Sequence, residues 1–187
     1  MDGGDGASAS AIDRRETGLR LFRQGDLAEA AQAFEDAGGL FEALGDPRAQ
    51  GETMNDLGVT RVRLRQWDGA DSAFRKAESI FRGLDDVAGE ARALGNRGEL
   101  YRHKGRPEEA VGTLKSAADL LLHAGEDQDG ARTLLLIARI RLGQARWFEF
   151  LHFYDLSLAC IEPPGPKERV LRWLIRIPMG LLSGGST

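Results

Sequence analysis

Small and apolar residues return at fixed places every 40 residues along this chain. Gly18, Gly58 and Gly98 are each followed by a small residue (Ala30, Ala70, Ala110), then by Phe34, Phe74 and Leu114, then by Ala37, Ala77 and Ala117. A fourth copy keeps the spacing with Ala138, Phe150, Tyr154 and Ser157, although its small positions have drifted. A period of this length marks stacked supersecondary units, none of which can bury its apolar face alone.

Each period divides into two helices. In the second copy, Asp46 before Pro47 is a helix start, a capping side chain followed by a ring suited to the first helical position. Met54, Leu57, Gly58 and Arg61 then share one face, with Gly58 permitting close approach of a neighbour. Asp68 is expected to cap a second helix, whose packing stripe is Ala70, Ala73, Phe74, Ala77, Ile80 and Phe81. Asp26 with Glu29 forms a similar start in copy one, resembling a capping box, and Arg106-Pro107-Glu108-Glu109 opens the matching helix of copy three. Gly45 and Gly125 are predicted to end helices in the left-handed conformation. Trp67 and Trp147, at equivalent places two copies apart, are expected to share one packing role.

The spacing predicts an all-α chain, an α-α superhelix of about four helix pairs followed by a C-terminal helix. Residues 1–10, rich in Gly, Ala and Ser, are expected to form a tail. The repeats run over about 11–45, 46–85, 86–125 and 126–162. Pro163-Pro164-Gly165-Pro166 ends the pattern, because consecutive prolines cannot continue a helix. Beyond them Val170, Leu174, Ile177 and Leu181 form an apolar stripe, with Trp173 beside it and Arg169, Arg172 and Arg176 on a second face. Over residues 163–182 this reads as a capping or docking helix, kinked at Pro178 and followed by a short tail over 183–187. Covering the last apolar face is its default role. Self-association through residues 167–182 and contact with a membrane surface are the alternatives, the latter not favoured.

Leu57-Gly58 with Ala70, Phe74 and Ala77, and Gly98-Glu99-Leu100-Tyr101 with Gly105, Glu109-Ala110 and Ala117, resemble the tetratricopeptide repeat in its 40-residue variety. The resemblance covers residues 11 to 162. It implies that the first helix of each pair lines an inner curve where peptides bind. Placed on this chain, that strip is Ile12, Arg15, Leu19, Phe22 and Arg23; Glu52, Asn55, Val59, Val62 and Arg63; Arg92, Gly95, Glu99, Arg102 and His103; and Arg132, Leu135, Arg139, Leu142 and Gly143. Arg23, Asn55, Val59, Arg63, Arg92, Arg102, His103, Arg132 and Arg139 are the candidate peptide-binding residues among them. Val59 and Glu99 stand where many 40-residue relatives carry an asparagine that grips a peptide backbone. Asn55, Arg63 and Arg102 match only part of the carboxylate clamp of chaperone-binding relatives.

Charge sharpens the expectation. The chain carries 29 acidic and 25 basic side chains, a formal charge of −4, which argues against nucleic acid as a partner. The strip runs the other way, with seven arginines against two glutamates. An acidic protein or peptide segment is therefore the expected partner, with Leu19, Phe22, Val59 and Val62 as an apolar patch beside the charges.

No catalytic, metal-binding or cofactor-binding residues are expected. The sequence lacks a Gly-rich phosphate loop after a strand and any His-Glu-x-x-His or Cys-x-x-Cys pair. His103, His123 and His152 fall in separate copies. Paired acids such as Asp85-Asp86 lie at helix starts, where they complement the helix dipole. The single cysteine, Cys160, excludes an intrachain disulfide and fits a reducing compartment. With no secretory-signal pattern at its start, the sequence reads as a cytoplasmic adaptor rather than an enzyme.

Overall fold

A computed structural model of the chain describes residues 3–160 together with 165, 167, 169 and 170. Among the described residues all regular structure is helical: α1 Gly3–Gln24, α2 Leu27–Leu44, α3 Pro47–Arg63, α4 Trp67–Gly83, α5 Val87–His103, α6 Pro107–His123, α7 Asp127–Gly143 and α8 Trp147–Ala159. They fall into two compact units, Met1–Arg106 with α1 to α5 and Pro107–Thr187 with α6 to α8. The division lies within the third copy of the repeat, not at a predicted boundary between copies. Gly3 to Ser10, expected as a tail, are the first turns of α1. The predicted helix over 163–182 and tail over 183–187 fall mostly outside the described residues.

One backbone device makes every turn. Gly25, Gly45, Arg65, Asp85, Gly105, Gly125 and Ala145 have φ between 53° and 94°, and they recur at half the repeat period. At each, the next residue donates its N–H to a carbonyl five residues back, as Asp46 does to Phe41 (3.0 Å), Gln66 to Arg61 (2.9 Å) and Arg146 to Arg141 (2.9 Å). This left-handed stop satisfies carbonyls left open at the helix end. Asp46 and Asp86 then cap the next helices, accepting from Ala49 N (3.0 Å) and Gly89 N (2.9 Å). Two expected caps are not formed. Asp26 stands at the N-cap of α2 but makes no side-chain capping bond, and α4 starts at Trp67, which puts Asp68 in its first turn. Asp68 instead accepts from Lys104 Nζ (3.2 Å).

In the first unit each helix packs on its neighbour in sequence, and the first helices also touch, α1 with α3 and α3 with α5. Small residues set the spacing. A Cβ on Gly58 would lie 2.4 Å from Phe74 Cε1, and one on Gly18 would lie 2.7 Å from Phe34 Cε1. Both rings are fully buried, as are the alanines at the expected positions, Ala30, Ala37, Ala70 and Ala77. A bare glycine backbone therefore forms the seat for a ring from the paired helix.

In the second unit α7 packs between α6 and α8. Ala110, Leu114, Leu134, Ile137 and Ala138 are buried there. Ala138 carries the methyl that Gly58 lacks, and Tyr154, at the register position of Phe74, is half-buried and stacked on Phe150 with ring centroids 5.6 Å apart. Phe150 thus stands in the place of a small residue without parting α7 from α8. The two tryptophans do not share a role. Trp67 packs against Ala70, Phe74 and Leu100, whereas Trp147 is 58% exposed.

Two stability outcomes follow from this geometry. Gly58→Ala forces a methyl into the Phe74 seat and is expected to lower urea unfolding stability by about 1–3 kcal/mol; a loss under about 0.5 kcal/mol, the range of neutral surface changes, would mean the ring is free to shift. Arg65→Gly and Ala145→Gly relieve a left-handed side chain, and each is expected to raise stability by about 0.5–1 kcal/mol after the unfolded-state entropy of glycine is counted.

Candidate functional site

The strip on α1, α3 and α5 is a face on which most charges are already answered. Arg15 Nη1 donates to Glu52 Oε2 (2.7 Å), and its Nη2 and Nε donate to Asp56 Oδ2 (3.0 and 3.2 Å). Arg102 pairs with Glu99 at 2.7 Å. Asn55 is buried, and its Oδ1 accepts from Asn96 Nδ2 (2.9 Å), a polar tie between α3 and α5. Its carbonyl oxygen is therefore committed within the protein.

The apolar positions are similarly divided. Val59 and Val62 are half-buried against the Ala70, Phe74 and Leu100 cluster, and Leu19 and Phe22 against that of Phe34, Met54 and Leu57. The outer face of the Phe22 ring carries Arg63, whose guanidinium carbon lies 4.7 Å from the ring centroid. Such stacking holds a cation in place without neutralising it. Ile12, at 50% exposure, is the open apolar residue of α1.

The expected excess of positive charge on this strip is thus reduced by a residue that strict spacing left out. Asp56 lies beside it and adds a third carboxylate, with Glu52 and Glu99, against five arginines. Burial pushes the Asp56 carboxyl above its ordinary value, outweighing the opposing pull of Arg15; Glu52 adds to the rise and Arg92 acts against it. Arg23, Arg63 and Arg92 are exposed and form no ion pair among the described residues. His103 Nε2 lies 3.3 Å from Arg102 Nη2.

On the second unit, Arg132 is exposed and bound to Asp129 (2.7 Å), and Arg139 is exposed. The neighbouring polar node was not legible as a site. Arg141 Nη1 donates to Glu108 Oε1 (2.7 Å) and to Gln144 Oε1 (2.7 Å), while its Nε lies 2.8 Å from Glu149 Oε2. Gln144 and Arg146 also donate to Glu108, at 3.0 and 2.9 Å. The Arg141 bond, helped by Gln144 and the Arg146 charge, holds the Glu108 carboxyl down to about 2. Nearby, Trp147 and Phe148 are 58% and 57% exposed, although the matched spacing of the tryptophans predicts a packing role for Trp147.

Two openings of the second unit are lined largely by apolar groups. One, of about 590 Å³, lies along Ala118, Leu122, Leu134, Phe153 and Leu156, with Lys115 above the Phe153 ring. The other, of about 340 Å³, lies between α7 and α8 along Ala131, Leu135, Tyr154 and Leu158. Among the described residues no group of three His, Cys, Asp or Glu could hold a metal ion, and no helix is long and apolar enough to cross a membrane.

Paired helices of near-constant length, left-handed turns and small-residue seats for aromatic rings define a tetratricopeptide-like helical repeat fold. Solved structures bear this out. The chain is similar to BtubC (BKLC) from P. vanneervenii at 18% identity and a TM-score of 0.72, covering 80% of this chain and 62% of that one. It is similar to aspartyl phosphate phosphatase F from Bacillus subtilis at 14% identity and a TM-score of 0.77, covering 90% and 45%. It is also similar to the kinesin light chain nearly identical TPR-like repeats of Podosopora anserina, at 13% identity and a TM-score of 0.52, covering 91% and 94%. The chain thus spans less than two thirds of the length of the first two. No protein-family model and no curated protein matches the sequence.

The Glu108 node predicts a pH signature. Its carboxyl sits below its ordinary 4.5, so its contribution to stability is present above that value and fades as pH falls towards about 2. Glu108→Gln is expected to lower the thermal midpoint at neutral pH, with the gap to the parent closing between pH 4.5 and 2. A gap that does not change with pH would show that the node acts through packing instead.

Proposed function

We propose that the chain is a non-catalytic protein-interaction scaffold that takes an acidic peptide segment along the first helices of its first unit. The reading is carried by one observation: Arg23, Arg63 and Arg92 stay exposed and outside any ion pair among the described residues, on a face whose other charges are matched. Guanidinium groups outside any ion pair can hold carboxylates by two-pronged hydrogen bonds. Arg63 is the best prepared of the three, because its stacking on Phe22 limits the freedom it would lose on binding.

The half-buried Leu19, Phe22, Val59 and Val62 supply an apolar floor, so the fitting ligand is a carboxylate-bearing segment with at least one apolar side chain. Arg102 and His103 extend the same face at the last turn of α5. Asn55, tied to Asn96, contributes shape more than a free hydrogen-bonding group. Arg132 and Arg139 occupy the corresponding positions on α7 of the second unit. The fold class accords with a scaffold, since arrays of this kind present extended faces for binding. The lone cysteine favours the cytoplasm as its compartment.

Titration with a fluorescent peptide of alternating Glu and Leu, against a Lys and Leu control, tests this reading. Arg23→Glu, Arg63→Glu and Arg92→Glu together are expected to weaken binding at least tenfold, about 1.4 kcal/mol, without loss of helix content, and added salt is expected to weaken the parent in the same direction. Unchanged affinity in the triple variant would take this face out of the function.

A further inference from the structure

The groove between successive second helices is bridged in the first unit and open in the second. Between α2 and α4, Lys76 Nζ pairs with Glu42 Oε2 at 2.8 Å, and Met54 of α3 sets its terminal methyl against Gly38. Two periods later, between α6 and α8, Leu122 and Leu156 stand at the places of Glu42 and Lys76, and Leu134 at that of Met54. Two leucines form no ion pair, and leucine lacks the reach of methionine. Leu122 lies instead against Gly130 of α7, where an added Cβ would be 2.6 Å from its Cδ2. What remains is the opening of about 590 Å³ over α7, with Leu156, 37% exposed, on its wall.

This opening has the proportions of a small-molecule site, which typically spans roughly 300–1,000 Å³ with apolar walls and a few charged groups. Its charges are unevenly placed. Lys115 is held over the Phe153 ring, its ammonium 5.0 Å from the centroid. Asp119 of α6 and Asp127 of α7 also line the opening, both exposed and in no ion pair among the described residues. Both α6 and α8 end on this side, at His123 and Ala159, so two negative helix termini stand against the one positive start of α7. A polar opening of about 540 Å³ shares Asp127 with the first and adds Glu126 and Asp129, the latter paired with Arg132. An apolar body with a positive head therefore matches the walls and the rim together, whereas a negative head meets carboxylates.

We propose that the second unit binds a small amphiphilic amine, its apolar chain against Leu122, Phe153 and Leu156 and its protonated amino group beside Asp119 and Asp127. The chain removes from water the apolar walls left where the first unit has its ion pair. The two carboxylates fix the orientation by charge-assisted hydrogen bonds. The inference is independent of peptide binding by the first unit.

Titration of the full chain with octylammonium chloride, with octanoate as the matched anion, tests it by calorimetry and by the leucine methyl signals. Octylammonium is expected to bind saturably and at least about tenfold tighter than octanoate, shifting the methyls of Leu122 and Leu156. Leu122→Glu with Leu156→Lys rebuilds across this groove the ion pair of the first unit, and is expected to abolish saturable binding with helix content retained. Asp119→Asn with Asp127→Asn, both at exposed positions, provides a second reading if the first variant does not fold, and is expected to bring octylammonium down to the level of octanoate. The proposal is overturned by a parent that does not saturate or binds octanoate equally well. Binding undiminished in the rebuilt groove, or a preference for the amine that survives loss of both carboxylates, overturns it as well.

Discussion

The organisation of the helices rests on the single left-handed residue that follows each of α1 to α7. Because that residue recurs at every half-period, consecutive helices from α3 to α7 are equal in length. Equal length keeps each side chain in the same rotational position from one copy to the next. Gly58 therefore meets Phe74 as Gly18 meets Phe34, and Gln144 reaches Glu108 as Lys104 reaches Asp68. Four of the seven turns between α1 and α8 use glycine. Arg65, Asp85 and Ala145 accept the strain of a left-handed side chain, which indicates how strongly the flanking helices impose the reversal.

Much of this was legible in the sequence because packing positions are chosen for size. Ala30, Ala70 and Ala110 are small for a steric reason, and the same reason makes them recur. Gly45 and Gly125 announced their turns for a comparable one. The turns at Arg65, Asp85 and Ala145 carry no such mark, since their conformation comes from context. Trp147 illustrates the opposite error. It repeats Trp67 in type and spacing, yet its surroundings differ, and the ring stands in solvent.

The candidate face was harder to read, for an electrostatic reason. Periodicity assigns a residue to a helix face but does not say which opposite charge reaches it from the neighbouring helix. Asp56, one position off the chosen strip, takes up Arg15 across the contact between α1 and α3. Asn55, which its spacing makes a candidate for peptide contact, is buried and accepts from Asn96. What remains available is a smaller set than spacing alone suggests, three arginines outside any described ion pair and a stacked ring. Such a surface selects by the placement of a few cations rather than by overall charge.

Arg141 has a consequence for how the second unit moves. Its side chain is buried on α7, yet it reaches Glu108 at the start of α6 and Glu149 on α8. If either outer helix lifts away, a guanidinium shielded from water loses a counter-charge, and that loss is shared by all three helices. Helix-by-helix fraying is thereby discouraged. The amides of α6, α7 and α8 should then exchange with solvent as one cooperative block, a foldon tied by one cation rather than by its apolar core alone.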